Sequence, residues 1–121
     1  MHPVRVAIVG CGRISDLHAL GYRRREDAHI TAVCDVKKSR ARAKAEEWGV
    51  ASERAFSDYR KLLAEPEIDL VELLVPHHLH ADMTVAACQA GRHVSVQKPM
   101  ALTVAEADRR IQAAERGGVK V

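Results

Sequence analysis

Two periodicities alternate along this chain. Short apolar runs rich in β-branched residues recur at 4–9, 29–34, 68–75 and 93–96, and amphipathic stretches lie between them. The first run, VRVAIV, is near-continuously apolar, as a strand buried on both faces of a parallel sheet must be. A helix is expected over 13–25, with Ile14, Leu17 and Leu20 on its inner stripe. A second helix is expected over 39–48, ended by Gly49. Residues 50–56 have room for a short third strand. Ser57 is placed to cap a helix through Leu62 and Leu63 that stops before Pro66. Glu72 interrupts the fourth strand, 68–75, and is expected at an edge or paired, because a lone buried carboxylate is costly. A helix over 81–90 closes at Gly91, and a fifth strand follows at 93–96. The last helix, about 104–116, starts after Thr103 with Glu106 three residues on, a capping box. Residues 119–121 read as the start of a sixth strand. Strands alternating with helices indicate an α/β doubly wound parallel sheet.

Composition narrows the classes. At 121 residues the chain makes one domain, with 47% apolar and 29% charged residues and a net charge of +3. The only aromatics are Trp48, Tyr22, Tyr59 and Phe56, too few for a base-stacking nucleic-acid module. The basic run Arg23-Arg24-Arg25 is followed at once by Glu26 and Asp27, so a solvated helix end is expected and no nucleic-acid partner. Cys11, Cys34 and Cys88 are odd in number and far apart, which supports neither disulfides nor zinc. A reducing cytoplasm is the expected compartment. The N-terminus runs straight into a strand, so no secretory leader is expected. The apolar runs are too short to span a membrane.

Candidate chemistry sits at the ends of the predicted strands. Gly10-Cys11-Gly12 joins the first strand to the first helix. Gly10 permits a tight turn, and Gly12 lets backbone approach a pyrophosphate. The N–H groups near Arg13 and Ile14 then face the anion at the helix N-terminus. Ser15 stands where the usual pattern has a third glycine, and a plain strand-to-helix turn is the alternative reading. Asp35, 25 residues beyond Gly10, ends the second strand. It can accept both ribose hydroxyls of an adenosine and would repel a 2′-phosphate, or it can simply cap the next helix. Arg40, a turn further on, would lean over an adenosine or form a surface salt bridge. Val75, Pro76, His77 and His80 mark the carboxyl end of the fourth strand, where open α/β sheets bind ligands. His77, His78 and His80 lack an acid or cysteine to complete a metal set, so no metal is expected. Gln97-Lys98-Pro99 ends the fifth strand.

With these residues in place, the chain resembles the cofactor-binding half of the glucose–fructose oxidoreductase/inositol dehydrogenase/rhizopine-catabolism family. The resemblance covers the whole chain. It rests on the Gly10–Ser15 turn, Cys34-Asp35, Pro76 with His80 four residues on, and Gly91-Arg92-His93-Val94 leading to Gln97-Lys98-Pro99. The family's usual Glu-Lys-Pro has Gln97 in place of the acid, removing a negative charge beside the lysine. The resemblance implies a Rossmann domain over 1–121 with strand order 3-2-1-4-5-6, binding NAD in preference to NADP. It implies a hydride-transferring parent enzyme acting on a sugar, cyclitol or related polyol. In the family the lysine matching Lys98 lies at the nicotinamide and orients or deprotonates the substrate hydroxyl. The second domain, which carries the substrate pocket and commonly the oligomer interface, is expected to be absent. The surface it would cover then favours self-association, and the chain alone is expected to be inactive. A non-catalytic nucleotide-binding sensor of the same fold is the alternative. An S-adenosylmethionine-binding domain shares glycine turns but has no use for Lys98-Pro99.

Overall fold

A computed structural model of the chain describes residues 3–96 and 104–121. The elements run β1 (Val4–Val9), α1 (Arg13–Arg23), β2 (Ala28–Cys34), α2 (Lys38–Trp48), β3 (Ala55–Phe56), α3 (Tyr59–Leu63), β4 (Leu70–Leu73), α4 (His80–Gln89), β5 (His93–Val96) and α5 (Val104–Gly117). Short 3-10 turns occupy Ser52–Arg54 and His77–Leu79. All strand pairs are parallel, in the order β3-β2-β1-β4-β5.

β1 is the central strand, and its alternation explains the two-layered core. Val6 and Ile8 pack with Ala19 of α1 and Ala41, Ala45 and Trp48 of α2. Ala7 and Val9 point the other way, toward Leu62 and Leu63 of α3, Ala87 and Cys88 of α4, and Ala113 of α5. Both faces are covered, so every residue from Val6 to Val9 is buried and the strand shows no polar alternation.

The structure departs from expectation in four places. α3 is capped by Asp58, whose Oδ1 accepts the Arg60 N–H at 2.9 Å, and not by Ser57. β4 is shorter than 68–75, although the Asp69 N–H to Arg5 O and Leu74 N–H to Val9 O bonds prolong its pairing at both ends. Residues 119–121 form no regular strand. They lie beside β5, held by Val94 N–H to Lys120 O and by Lys120 N–H to His93 Nδ1. The expected capping box at Thr103 falls outside the described residues.

The fourth departure concerns α1. Ile14, Leu17 and Leu20 are 48%, 72% and 45% exposed, while Ser15 and Ala19 face the sheet. The helix is turned by one residue, about 100°, from the setting its apolar stripe predicts. The face that α1 turns toward the sheet meets a carboxylate of β4. Glu72 is only 4% exposed and has β1 and β5 on either side, so it is paired but not at an edge. His18 Nδ1 meets its Oε1 at 2.7 Å. Burying Leu17 would gain roughly 1.5–3 kcal/mol. Leaving a buried carboxylate unpaired costs about 3–5 kcal/mol.

Candidate dinucleotide site

A cavity of about 350 Å³ opens at the carboxyl ends of β1, β2 and β4. Six of the residues predicted from sequence line it: Gly10, Gly12, Asp35, Arg40, Val75 and Pro76. Gly10 must be glycine for an internal reason. Its φ is +100°, and a Cβ there would sit 2.2 Å from the Leu74 carbonyl oxygen. Gly12 has no such reason among the described residues, none of whose atoms a Cβ added there would meet within 4 Å. Gly12 is also the N-cap of α1, with ordinary extended dihedrals and no side-chain cap. The helix therefore begins at Arg13 with its N-terminal dipole charge uncompensated by a capping side chain. Ser15 fits in place of a glycine because it is small and fully buried, and its hydroxyl donates to the Gly12 carbonyl.

Asp35 faces the same cavity and is 6% exposed. Its Oδ2 accepts the Cys11 N–H at 2.8 Å, and its Oδ1 accepts the Lys37 N–H at 2.8 Å. Arg40 donates to Oδ1 from Nε and Nη2, at 3.1 and 2.9 Å. Burial pushes this carboxyl upward. The backbone donors of Lys37 and Cys11 and the Arg40 guanidinium outweigh it and hold the group below the ordinary carboxylate range. Asp35 thus shapes the entry to α2 and also ties it to the glycine turn. Arg40 is half-exposed and forms the salt bridge that was one of its two expected roles.

His80, expected among the cofactor-binding residues, does not line the cavity. It is fully buried, and its Nε2 lies 2.8 Å from the Val75 carbonyl oxygen, behind the loop. His77 opens the 3-10 turn and Ile14 lies half-exposed in the first turn of α1. Gln97 and Lys98 lie outside the described residues. Arg92, in the same motif, serves the fold: it donates to the carbonyls of Leu63, Glu65 and Ile68.

Sequence reasoning missed the apolar part of the wall, Val36, Leu74, Leu79 and Met83, together with Ser57 and Tyr59. Only Val36, 84% exposed, carried a usable signal, as an apolar residue directly after the strand-ending acid. Tyr59 fastens α3 to α4 through its hydroxyl, which donates to the Met83 carbonyl at 2.9 Å. Cys11, Cys34 and Cys88 are free and buried. Burial first, and then the Asp35 charge, pushes the Cys11 thiol up to about 12. Cys34 rises to about 12 through burial, then through Cys11 and Asp35. Among the described residues no three His, Cys, Asp or Glu side chains are grouped to hold a metal, and no helix is long and apolar enough to cross a membrane.

A parallel sheet wound on both faces, with a glycine turn feeding a helix beside the β1/β4 switch point, defines a dinucleotide-binding fold of the Rossmann class. Residues 4–121 match the model of the Gfo/Idh/MocA oxidoreductase family, NAD-binding Rossmann fold, and the chain belongs to that family. It is 38% identical over 117 residues to D-glucoside 3-dehydrogenase of Escherichia coli, covering 96% of this chain and 33% of that protein. It is 32% identical over 116 residues to myo-inositol 2-dehydrogenase of Thermotoga maritima, covering 96% of this chain and 34% of that protein. The crystal structure of the WlbA dehydrogenase from Bordetella pertussis, in complex with NADH and UDP-GlcNAcA, superposes with a TM-score of 0.90 at 31% identity. That match covers 99% of this chain and 37% of the other. The chain spans about a third of the length of the curated relatives it matches.

Proposed function

We propose that the cavity at the carboxyl ends of β1, β2 and β4 binds NAD(H). The chain would then be the cofactor-binding half of an oxidoreductase acting on a hydroxyl-bearing carbon of a sugar, cyclitol or related polyol. The observation that carries this reading is Gly12. Among the described residues no neighbouring atom requires a glycine there, yet it lines the cavity at a helix N-terminus without a side-chain cap, with the Asp35 carboxylate on the same cavity. A pyrophosphate close to the backbone needs that open space.

When bound, the dinucleotide supplies the hydride carrier. The chain's own residues bind and orient it. The N–H groups near Arg13 and Ile14 take the pyrophosphate, and Asp35 takes the adenosine ribose and disfavours a 2′-phosphate. Arg40 borders the ribose position, and Val36, Leu74, Leu79 and Met83 offer the apolar wall a flat base needs. Val75, Pro76 and His77 would border the nicotinamide end, Val75 and Pro76 from the cavity wall. His80 acts as a positioning residue, through the Val75 carbonyl. Lys98 is assigned to the substrate hydroxyl, with Gln97 beside it, on the strength of the family resemblance. The dehydrogenase names of the relatives support the substrate class. Three free, buried thiols support a reducing cytoplasm as the compartment. The exposed leucines of α1 support self-association.

Calorimetric titration of the 121-residue chain with NADH and NADPH tests the reading. Binding of NADH that Gly12→Val abolishes in a folded protein is the expected result. A folded chain that takes up neither dinucleotide overturns it.

A further inference from the structure

Glu72 does not line the cavity, and a carboxylate in an interior strand of a parallel sheet calls for a reason. Its neighbours in β4, Val71 and Leu73, are fully buried apolar residues. Its partners come from one face of α1. His18 Nδ1 is at 2.7 Å, and Tyr22, one turn on, lies beside the same carboxylate. Burial first, and the Glu72 charge second, pushes the Tyr22 phenol up to about 12. Arg25 borders the same cleft, and Ser95 of β5 is the cross-strand partner of Glu72.

We propose that Glu72, with His18 and Tyr22, is a positioning cluster for cofactor binding: it sets the rotation of α1 about its axis and so aims the N–H groups of the first turn at the cavity. The proposal rests on the reading of that cavity as a dinucleotide site. Three observations converge on it. α1 buries Ser15 and Ala19 and sets the half-buried His18 and Tyr22 against Glu72, while its leucines stay exposed. The first turn is held near its start by the Ser15 hydroxyl on the Gly12 carbonyl and by Asp16 on Lys44 at 2.6 Å, and the Glu72 cluster adds a second hold one to two turns further along the same helix. A buried carboxylate held by polar partners adds little stability over an apolar residue of the same volume, and is better suited to selecting one arrangement among several. An apolar residue at position 72 would release α1 to turn Leu17 inward, carrying the first-turn N–H groups off the pyrophosphate position.

The test separates orientation from stability. In Glu72→Leu, and in the Glu72→Leu/His18→Leu double variant, the melting temperature should hold or rise while the NADH dissociation constant rises about tenfold. Glu72→Gln keeps an acceptor for His18 and should stay within about twofold of the parent. Rotation is read without ligand from Leu17→Cys, an exposed site in a protein whose native thiols are buried. That thiol should label quickly when Glu72 is present and markedly more slowly in the Glu72→Leu background, where the helix turns it inward. Unchanged NADH affinity in both leucine variants, an equal loss in Glu72→Gln, or unfolding of both leucine variants overturns the proposal. A parent chain that binds no NADH, with the labelling difference intact, overturns the cavity reading and leaves the rotation established.

Discussion

The Asp35 carboxylate and the Cys11 backbone N–H meet at 2.8 Å, so the acid after β2 and the glycine turn after β1 form one unit. Removing the carboxylate therefore does two things. It takes away the group that would repel a 2′-phosphate, and it frees the turn. The parent chain should bind NADH more tightly than NADPH. Asp35→Ala should weaken NADH and narrow the preference by about 1–3 kcal/mol, the range of charge-assisted hydrogen bonds. Arg40→Ala should widen it, because the guanidinium on Oδ1 is the nearby charge that offsets repulsion of a phosphate. Calorimetry with both dinucleotides measures this, and equal or tighter NADPH binding by the parent would refute it.

The two glycines of the turn should fail in different ways. Gly10→Ala places a Cβ against the Leu74 carbonyl at positive φ, and should cost more than about 1 kcal/mol of stability. Gly12→Val meets no atom of the described residues at its Cβ, and should melt close to the parent while losing dinucleotide binding. Thermal melts beside titrations separate the two. A Gly12→Val protein that is folded and still binds would show the turn to be structural only.

Acid should act through Asp35. Its carboxyl is held below the ordinary range in the folded chain, so the stability it contributes is present above about pH 4 and is lost as pH falls through the lowered value. Denaturant midpoints between pH 6 and pH 3 (roughly the carboxylate window) should fall less steeply in Asp35→Asn than in the parent.

Alkali should act through the buried thiols. Cys11 and Cys34 move from 9.0 to about 12, so folding favours their neutral forms. That contribution is complete below 9.0 and is lost as pH rises toward 12. Denaturant midpoints should decline from about pH 9 upward, and Cys34→Ala should shallow the decline. At neutral pH the thiols should react with a thiol reagent only after denaturation; fast labelling of the folded chain would contradict their burial.

The 121-residue chain by itself should bind cofactor without turning over a polyol, since it spans about a third of its curated relatives and acid–base chemistry needs substrate held within hydrogen-bond reach. An NADH absorbance assay over sugars and inositols, run beside light scattering for assembly, measures this. Turnover that Lys98→Ala abolishes would mean that the chain holds a complete site.

The sequence by itself determined the alternation of strands and helices, the parallel winding, the glycine turn and the acid that ends β2. These follow from local periodicity, from the left-handed turn at Gly10 and from a fixed offset along the chain, all of which are legible in the linear order of residues. Tertiary structure decided the rest. Whether α1 buries Leu17 or His18 depends on a carboxylate 54 residues from His18, which no helical periodicity contains. His80 lies where cofactor contacts were expected, but the Val75 carbonyl and the packing of α4 hold it behind the wall. Leu79 and Met83 read as ordinary helix residues until folding brings them beside Val36 and Asp35. Periodicity tells which residues prefer to avoid water; which of them end up facing a cavity depends on the few long-range polar pairs that set each helix on the sheet.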